Sequence, residues 1–364
     1  MIDIANTFNE AGYKVILITG RLVQRNIPLH ESVRLDKIIK YRRSNIFMRL
    51  VSWIVATLQI LFKIWFKYRD SHLFIVSNPP LAPLLPLISR NSYSILIFDV
   101  YPDAISNLGI LSKKSLLFKL WSSANKKSFA KAKYVYTISE GMKSILKKYG
   151  NDLEPEVVSI WTDNFFLKPI DPLKNPFIKK YNLTGKFIVL YSGNIGIAGD
   201  VDSLIELAAS SRRDDVVFLI IGKGARRETL MKEGISRKLK NILFLPWQPV
   251  EELPYSLSSA SVAVVIQGNR ISEIAVPSKF YNYISVGVPI LCIASRDAEI
   301  SSLVAKYDCG KVFESNNFSG MVDYINELSD NKELYMKFKN NSLLASKDFQ
   351  VRNARKFLTS FRTD

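Results

Sequence analysis

Two patterns alternate along the chain. Short runs of β-branched and aromatic residues are separated by longer stretches with apolar positions at helical spacing. In the first half the strand-like runs are 14–19, 73–77, 94–99, 134–138 and 157–160, with helical stretches at 49–68, 116–131 and 140–149. The second half repeats this with runs at 187–191, 216–221, 242–245, 262–266 and 289–293. From 161 to 186 the periodicity is lost, and Pro169, Pro172 and Pro176 punctuate the segment. Apolar strands separated by helices predict parallel sheets covered on both faces. The predicted fold is therefore α/β, with two Rossmann-like domains facing a cleft. The boundaries read as a first domain over 1–165, a linker over 166–186 and a second domain over 187–345. A final helix over 346–364 is expected to return to the first domain.

A doubly wound domain ordinarily opens on a strand lying mid-sheet. Here a helical pattern over 1–11 comes first, so the first strand of the N-terminal domain is missing from the pattern. Either the start is displaced or the fold compensates. Asp3 and Glu10 stand where a secretory leader carries basic residues, so these positions do not read as a leader.

One helical stretch stands out. Between Arg49 and Lys63 no residue is charged, a length of roughly 20 Å of helix against a hydrocarbon core of about 30 Å. That is too short to span a bilayer. Within 45–69, Asn45, Arg49, Ser52, Gln59, Lys63 and Lys67 form one narrow polar stripe on an otherwise apolar surface. Such a helix either packs inside a domain or lies in a membrane interface with its basic stripe toward the head groups.

Charge sharpens the second alternative. The chain has 50 basic and 33 acidic residues, a net of +17, and +11 of that falls before residue 164. No recognition-helix, zinc or RNP-type signature accompanies it, so nucleic acid is not the expected partner. Anionic head groups or phosphorylated small molecules suit it better. Two cysteines and two histidines cannot build a disulfide framework or a histidine-rich metal centre.

Chemistry concentrates after the second-half strands. The run FIVLYSGNIGIAG (187–199) enters a loop holding Gly193, Gly196 and Gly199, and a helix is expected near Asp200. Glycines let backbone amides approach an anion, which favours a diphosphate. FLIIGKGARRETL (218–230) leads a strand into a second glycine turn with Lys223, Arg226 and Arg227. EIAVPSKFYNYISVGVP (273–289) puts Pro277 in the first turn of a helix, with Ser278 and Lys279 at its start. Asp200 and Asp202 spell D-x-D, a metal motif elsewhere, but Asp200 reads more simply as an N-cap. Trp247 is placed either to stack on a base or to pack in the core.

With SGNIG after a strand, the GKG turn, NILFLPWQPVEELPYSLSSASVAV (241–264) and PSKFYNYISVGVPIL, the chain resembles family 4 glycosyltransferases of the GT-B fold. VSNPPLAPLL (76–85), FDVYPDAISNLGIL (98–111) and YTISEGM (136–142) resemble the branch containing the fucosamine and colanic-acid transferases of bacterial polysaccharide assembly. The resemblance implies an acceptor-binding first domain and a nucleotide-sugar-binding second one. Gly193, Asn194 and Gly196 match the loop beneath the donor diphosphate. Lys279 matches its lysine partner, and Glu273 stands near the first glutamate of the E-x7-E motif. Asp99 matches an acidic residue on the acceptor side.

The second glutamate falls at Asn282, and the residue eight before it is Ile274 rather than Glu273. The arginine and lysine that many relatives carry after the glycine loop are absent from IGIAGDVD. The resemblance further implies a retaining, metal-independent transferase with no cofactor. It would move a sugar from a nucleotide-diphosphate sugar to a lipid-linked, polyprenyl-diphosphate acceptor on the inner face of the cell membrane. The alternatives are an inactive relative serving a membrane assembly, and a sugar-nucleotide epimerase.

Overall fold

The computed structural model describes residues 1–23, 27–42, 46–107, 109–196, 200–268, 276–359 and 361. The chain divides into two compact units, Met1–Ser159 with Arg352–Asp364, and Ile160–Val351. The unit boundary precedes the expected linker. Residues 166–186 are no linker: Leu167, Phe177, Ile178 and Leu183 are buried in the core of the second unit. Their irregular apolar spacing, broken by prolines, hid that burial.

In unit 1 the order is α1 (Ile2–Glu10), β1 (Ile16–Thr19), β2 (Arg34–Lys37), α2 (Ile46–Phe66), β3 (Leu73–Val76), β4 (Tyr93–Ile97), α3 (Asp103–Asn107), α4 (Leu116–Lys131), β5 (Tyr134–Thr137), α5 (Glu140–Lys147) and β6 (Glu156–Val157). Among the described residues all its ladders are parallel, in a two-stranded sheet β1-β2 and a four-stranded sheet β3-β4-β5-β6. Side-chain caps fix helix starts: Ser115 Oγ accepts the Phe118 amide at 3.2 Å, and Ser139 Oγ that of Met142 at 3.2 Å.

Unit 2 contains α6 (Pro176–Lys180), β7 (Phe187–Asn194), α7 (Ser203–Ser210), β8 (Val216–Lys223), α8 (Arg227–Ser236), β9 (Ile242–Leu245), α9 (Leu253–Ser258), β10 (Val262–Ile266), α10 (Lys279–Ser285), β11 (Ile290–Ile293), α11 (Glu299–Tyr307), β12 (Gly310–Phe313), α12 (Phe318–Asp330) and α13 (Lys332–Ser346). Among the described residues its six strands form one parallel sheet in the order β12-β11-β10-β7-β8-β9. Successive residues of β7 enter opposite cores. Ile188 and Leu190 pack on one face, Val189 and Tyr191 on the other. The sheet is thus apolar on both sides, which is why its strands read as continuous hydrophobic runs. The chain then returns to unit 1 as α14 (Lys356–Thr359). There Phe357 stacks edge-on against Tyr136 at 4.8 Å and Phe361 against Phe8 at 4.9 Å.

The helix α2 corrects one of the two expectations for 45–69, that of a helix packed inside the domain. Its polar stripe faces protein. Gln59 Oε1 accepts the Ile39 amide at 2.8 Å, while Lys63 and Lys67 reach the two Asp36 oxygens at 2.6 and 2.9 Å. The Tyr68 hydroxyl donates to Asp36 at 2.5 Å. These donors, Lys63 first, hold the Asp36 carboxyl far below the usual carboxylate range. Ala56 and Ile64 are buried, but Phe47, Leu50, Ile54, Leu58, Phe62 and Phe66 are exposed, so the helix is not enclosed in the domain.

Candidate functional site

In an open parallel sheet, ligands bind beyond the carboxyl ends of the strands where the winding direction reverses. In unit 2 that place is between β7 and β10, because β7 has β8 on one side and β10 on the other. The sequence-predicted donor residues Gly193 and Asn194 end β7, and Lys279 opens α10 after the loop that follows β10.

The turn after β7 is held by backbone. The Ile195 amide donates to the Lys223 carbonyl at 2.9 Å, and the Arg226 amide to the Ile195 carbonyl at 3.1 Å. β7 and β8 run so close that a Cβ at Gly222 would lie 1.9 Å from the Gly193 carbonyl oxygen. No side chain fits there. At Gly193 a Cβ would meet Lys279 Nζ at 3.1 Å, so the missing side chain leaves room for the lysine.

Lys279 Nζ sits 3.7 Å from the centre of the Tyr191 ring, a cation–π contact. Burial lowers its pKa to about 7, because an ammonium loses hydration there. The same burial raises the Tyr191 phenol to about 12. Tyr191 Oη donates to the Asn194 carbonyl at 2.8 Å, tying ring and turn together. One turn along α10 from Lys279, the buried Tyr283 hydroxyl accepts the Ser192 amide at 2.8 Å and donates to its carbonyl at 3.3 Å. Neither tyrosine was singled out from sequence, although Tyr283 lies at the i+4 position that shares a helix face with Lys279.

The other expected residues are placed as follows. Ser278 precedes α10 and is exposed, with no side-chain cap bond. Lys223 ends β8 and is exposed. Arg226 forms an ion pair with Asp202, so its side chain already has an anionic partner. Asn282 Oδ1 accepts a 2.6 Å hydrogen bond from Thr162 Oγ1, a contact no sequence signal announced. Gly196 lies against the Asn194 amide group, 2.7 Å from where its Cβ would be. Trp247 is exposed rather than packed in the core. Glu273, Ile274 and Gly199 lie outside the described residues. Asp200 is not the N-cap of α7. Asp202 holds that position, without a side-chain cap bond, and the Asp200 carbonyl takes the Ser203 hydroxyl at 2.5 Å. Among the described residues no cluster of three or more metal-ligating side chains occurs.

Asp99, the acceptor-side candidate, lies in unit 1 just after β4. Its backbone amide donates to Ser77 Oγ at 3.1 Å. Partial desolvation raises its carboxyl above the usual range, and Tyr101 is pushed up to about 12, first by burial and then by the Asp99 charge.

Residues 174–344 match the family model for glycosyl transferases group 1, a stretch that contains every described donor-side residue above. That stretch of the chain is similar to the group 1 glycosyltransferases. WbjE of Pseudomonas aeruginosa, named a probable glycosyltransferase, is 24% identical over 259 residues, 70% of this chain and 65% of its own. WcaI of Escherichia coli K12, named for colanic acid biosynthesis, is 32% identical over 134 residues, 37% of this chain and 32% of its own. The match spans less than two thirds of either curated relative.

Among solved structures, Anabaena HepE in complex with UDP-glucose superposes with a TM-score of 0.72 at 12% identity, covering 99% of this chain and 93% of HepE. WaaG, a glycosyltransferase involved in lipopolysaccharide biosynthesis, gives 0.68 at 14% identity, covering 100% of this chain and 95% of WaaG. The chain therefore has a GT-B type α/β fold with Rossmann-like parallel sheets.

Proposed function

We propose that this protein transfers a sugar from a nucleotide-diphosphate sugar to a lipid-linked saccharide acceptor in bacterial surface-polysaccharide assembly, with retention at the transferred carbon. The observation that supports this reading best is the Lys279 ammonium held over Tyr191 against Gly193, at the reversal point of the stretch similar to the group 1 glycosyltransferases. As the sugar–phosphate bond loosens, negative charge grows on the departing diphosphate. A fixed cation and backbone amides stabilise that charge where it develops. Lys279 supplies the cation in this account, and the turn at Gly193, Asn194 and Gly196 supplies the amides. Glu273 is assigned to the sugar and Asp99 to the acceptor, both on the family resemblance. The UDP and UDP-glucose complexes of HepE support a nucleotide-sugar donor, and the names of WcaI and WaaG support a polysaccharide or lipopolysaccharide setting. No metal or other cofactor has a part in this account.

The test is direct. Purified protein is incubated with labelled UDP-, GDP- and dTDP-sugars and with lipid-linked oligosaccharide extracted from bacterial membranes. The expected outcome is label in the organic-extractable glycolipid with one donor, unaffected by chelator, and with the donor's anomeric configuration kept by NMR. Transfer to no acceptor by a folded protein overturns the reading. The engagement of Asn282 by Thr162 favours a second reading, a relative with weak or no catalysis. Absence of nucleotide binding by calorimetry selects it.

A further inference from the structure

In unit 1, as in unit 2, the carboxyl ends of the parallel strands are the place to look for a ligand. The connections leaving those ends are tied to their neighbours. Ser77, just after β3, accepts the Phe98 and Asp99 amides at 2.9 and 3.1 Å, which fixes the start of the connection after β4. The segment after β2 is pinned to α2 twice: the Ile39 amide donates to Gln59 at 2.8 Å and the Arg42 amide to Ser52 Oγ at 3.4 Å. Tyr41 stands between those two pins, and Tyr101 stands after β4. Burial raises the Tyr101 phenol, and Asp99 and Tyr41 raise it further through their charges, so both lie within electrostatic reach of it.

Each tyrosine has a tryptophan behind it. Trp53 of α2 lies nearly parallel to Tyr41, with ring centres 5.8 Å apart and planes 3° apart, and Trp121 of α4 lies 6.2 Å from Tyr101 at 15°. Such stacking holds the plane of a ring still. Both indole Nε1 atoms are buried with no hydrogen-bond partner among the described residues, so these tryptophans contribute their faces and not their N–H groups. The Tyr101 backbone is fixed as well, its carbonyl accepting from the buried Asn125 amide. Asp99 is exposed, and among the described residues its carboxylate has neither a hydrogen bond nor an ion pair. Fixed aromatic plates with phenol hydroxyls, beside an unengaged carboxylate, suit a pyranose. The C–H face of the sugar packs on a ring while its hydroxyls donate to the carboxylate. The Asp99 charge repels a phosphate.

We propose that Tyr41 and Tyr101, each backed by its tryptophan, form with Asp99 a sugar-binding subsite at the carboxyl end of the unit 1 strands and select a pyranose by its C–H face. Naming that sugar as the end of the acceptor rests on the transferase reading; the subsite itself does not.

The experiment is saturation-transfer difference NMR on the full chain, without nucleotide, using the methyl glycosides of glucose, galactose, fucose and N-acetylglucosamine as probes. Wild type is expected to pass saturation to the ring C–H protons of at least one of them. Tyr41→Leu and Tyr101→Leu keep apolar bulk but remove the aromatic plate, and each should weaken binding by about tenfold or more. Tyr41→Phe and Tyr101→Phe keep the plate and should stay within about threefold of wild type. Melting curves identify the folded variants, and if Tyr101→Leu misfolds, the exposed Tyr41 pair decides. Equal binding by wild type and a folded leucine variant overturns the proposal, as does a folded wild type that saturates no pyranoside. Saturation of uridine that the leucine variants lose, with none of any pyranoside, makes this a nucleoside site and overturns it too. Pyranoside binding intact, with no sugar transferred from any donor, would sink the transferase reading and leave the subsite standing.

Discussion

The two units build the same kind of parallel α/β layer and arrive at different surfaces. In unit 2 the central strand β7 has a partner on each side, and Ile188, Val189, Leu190 and Tyr191 are all buried. In unit 1, β1 and β3 are equally apolar, ILIT and LFIV, yet every residue in both is only half-buried. Among the described residues each of these strands has a ladder partner on one side only, β2 or β4. Strand composition is therefore a poor guide to burial by itself. The position a strand takes in the sheet decides how much of its apolar surface leaves water, and about 25 cal/mol is at stake per Å².

The most severe way to probe this difference is to attack the close approach on which unit 2's sheet depends. Gly222→Val places a branched side chain where a Cβ already comes within 1.9 Å of the Gly193 carbonyl. Backbone must move, and we expect a loss of about 3 kcal/mol or more in the stability of unit 2. Chemical denaturation read by tyrosine and tryptophan fluorescence checks it. A variant as stable as wild type would show that β7 and β8 separate freely at their ends.

A milder pair of substitutions tests the burial contrast itself. Leu190→Ala, at a fully buried position, should cost about 3 kcal/mol. Ile75→Ala in half-buried β3 should cost roughly 1 kcal/mol, since less surface is uncovered. Equal costs from urea denaturation would mean that β3 is as enclosed as β7 in solution.

The same contrast explains what could be read from the amino acids and what could not. β9, β10 and α4 agree with the sequence pattern residue for residue: the two strands are continuous apolar runs, and the start of α4 is fixed by its Ser115 cap. The strands β2 (RLDK) and β12 (GKVF) were missed. Both lie at a sheet edge, where charged residues are tolerated and no hydrophobic run is required. The last residues of β7 and β8 are glycine with Asn or Lys, which carry no strand signal; only their mutual ladder makes them extended. At the candidate site, Lys279 and Gly193 were legible from their places after strands. Tyr191's ring beneath the lysine, and Thr162 on Asn282, required the tertiary fold. For α2 the stripe was visible but its direction was not, because the direction is set by Asp36, far back along the chain.

Lysines extend the comparison from packing to charge. In unit 1, Lys63 and Lys67 share Asp36, and hydrogen bonding to that carboxylate raises the Lys67 pKa. Lys279 in unit 2 is governed by burial instead. If it holds the donor diphosphate, Lys279→Ala should weaken nucleotide binding by roughly 10- to 100-fold, the equivalent of losing one charge-assisted hydrogen bond. Isothermal titration with UDP and GDP reads this, and the melting temperature should not fall, since the variant no longer buries an amine. Unchanged affinity would remove Lys279 from the site.

The smallest effect follows from the same side chain's titration. With a pKa of about 7 before binding, Lys279 is charged only in part at neutral pH. A diphosphate beside it raises that pKa, so binding takes up a proton. Affinity is then complete below about pH 7 and falls as pH rises from there toward the bound-state pKa, by up to about tenfold per pH unit. A nucleotide sugar is the right probe, because its doubly esterified diphosphate keeps a constant charge over this range while the terminal phosphate of UDP does not. Titrations with UDP-glucose and GDP-mannose from pH 6 to about pH 9 should show this slope in wild type and none in Lys279→Ala. Parallel slopes in the two proteins would assign the titration to another group. A flat wild-type profile with the affinity loss of Lys279→Ala intact would mean that the ammonium keeps its proton throughout, its burial offset by solvent reaching the turn at Gly193.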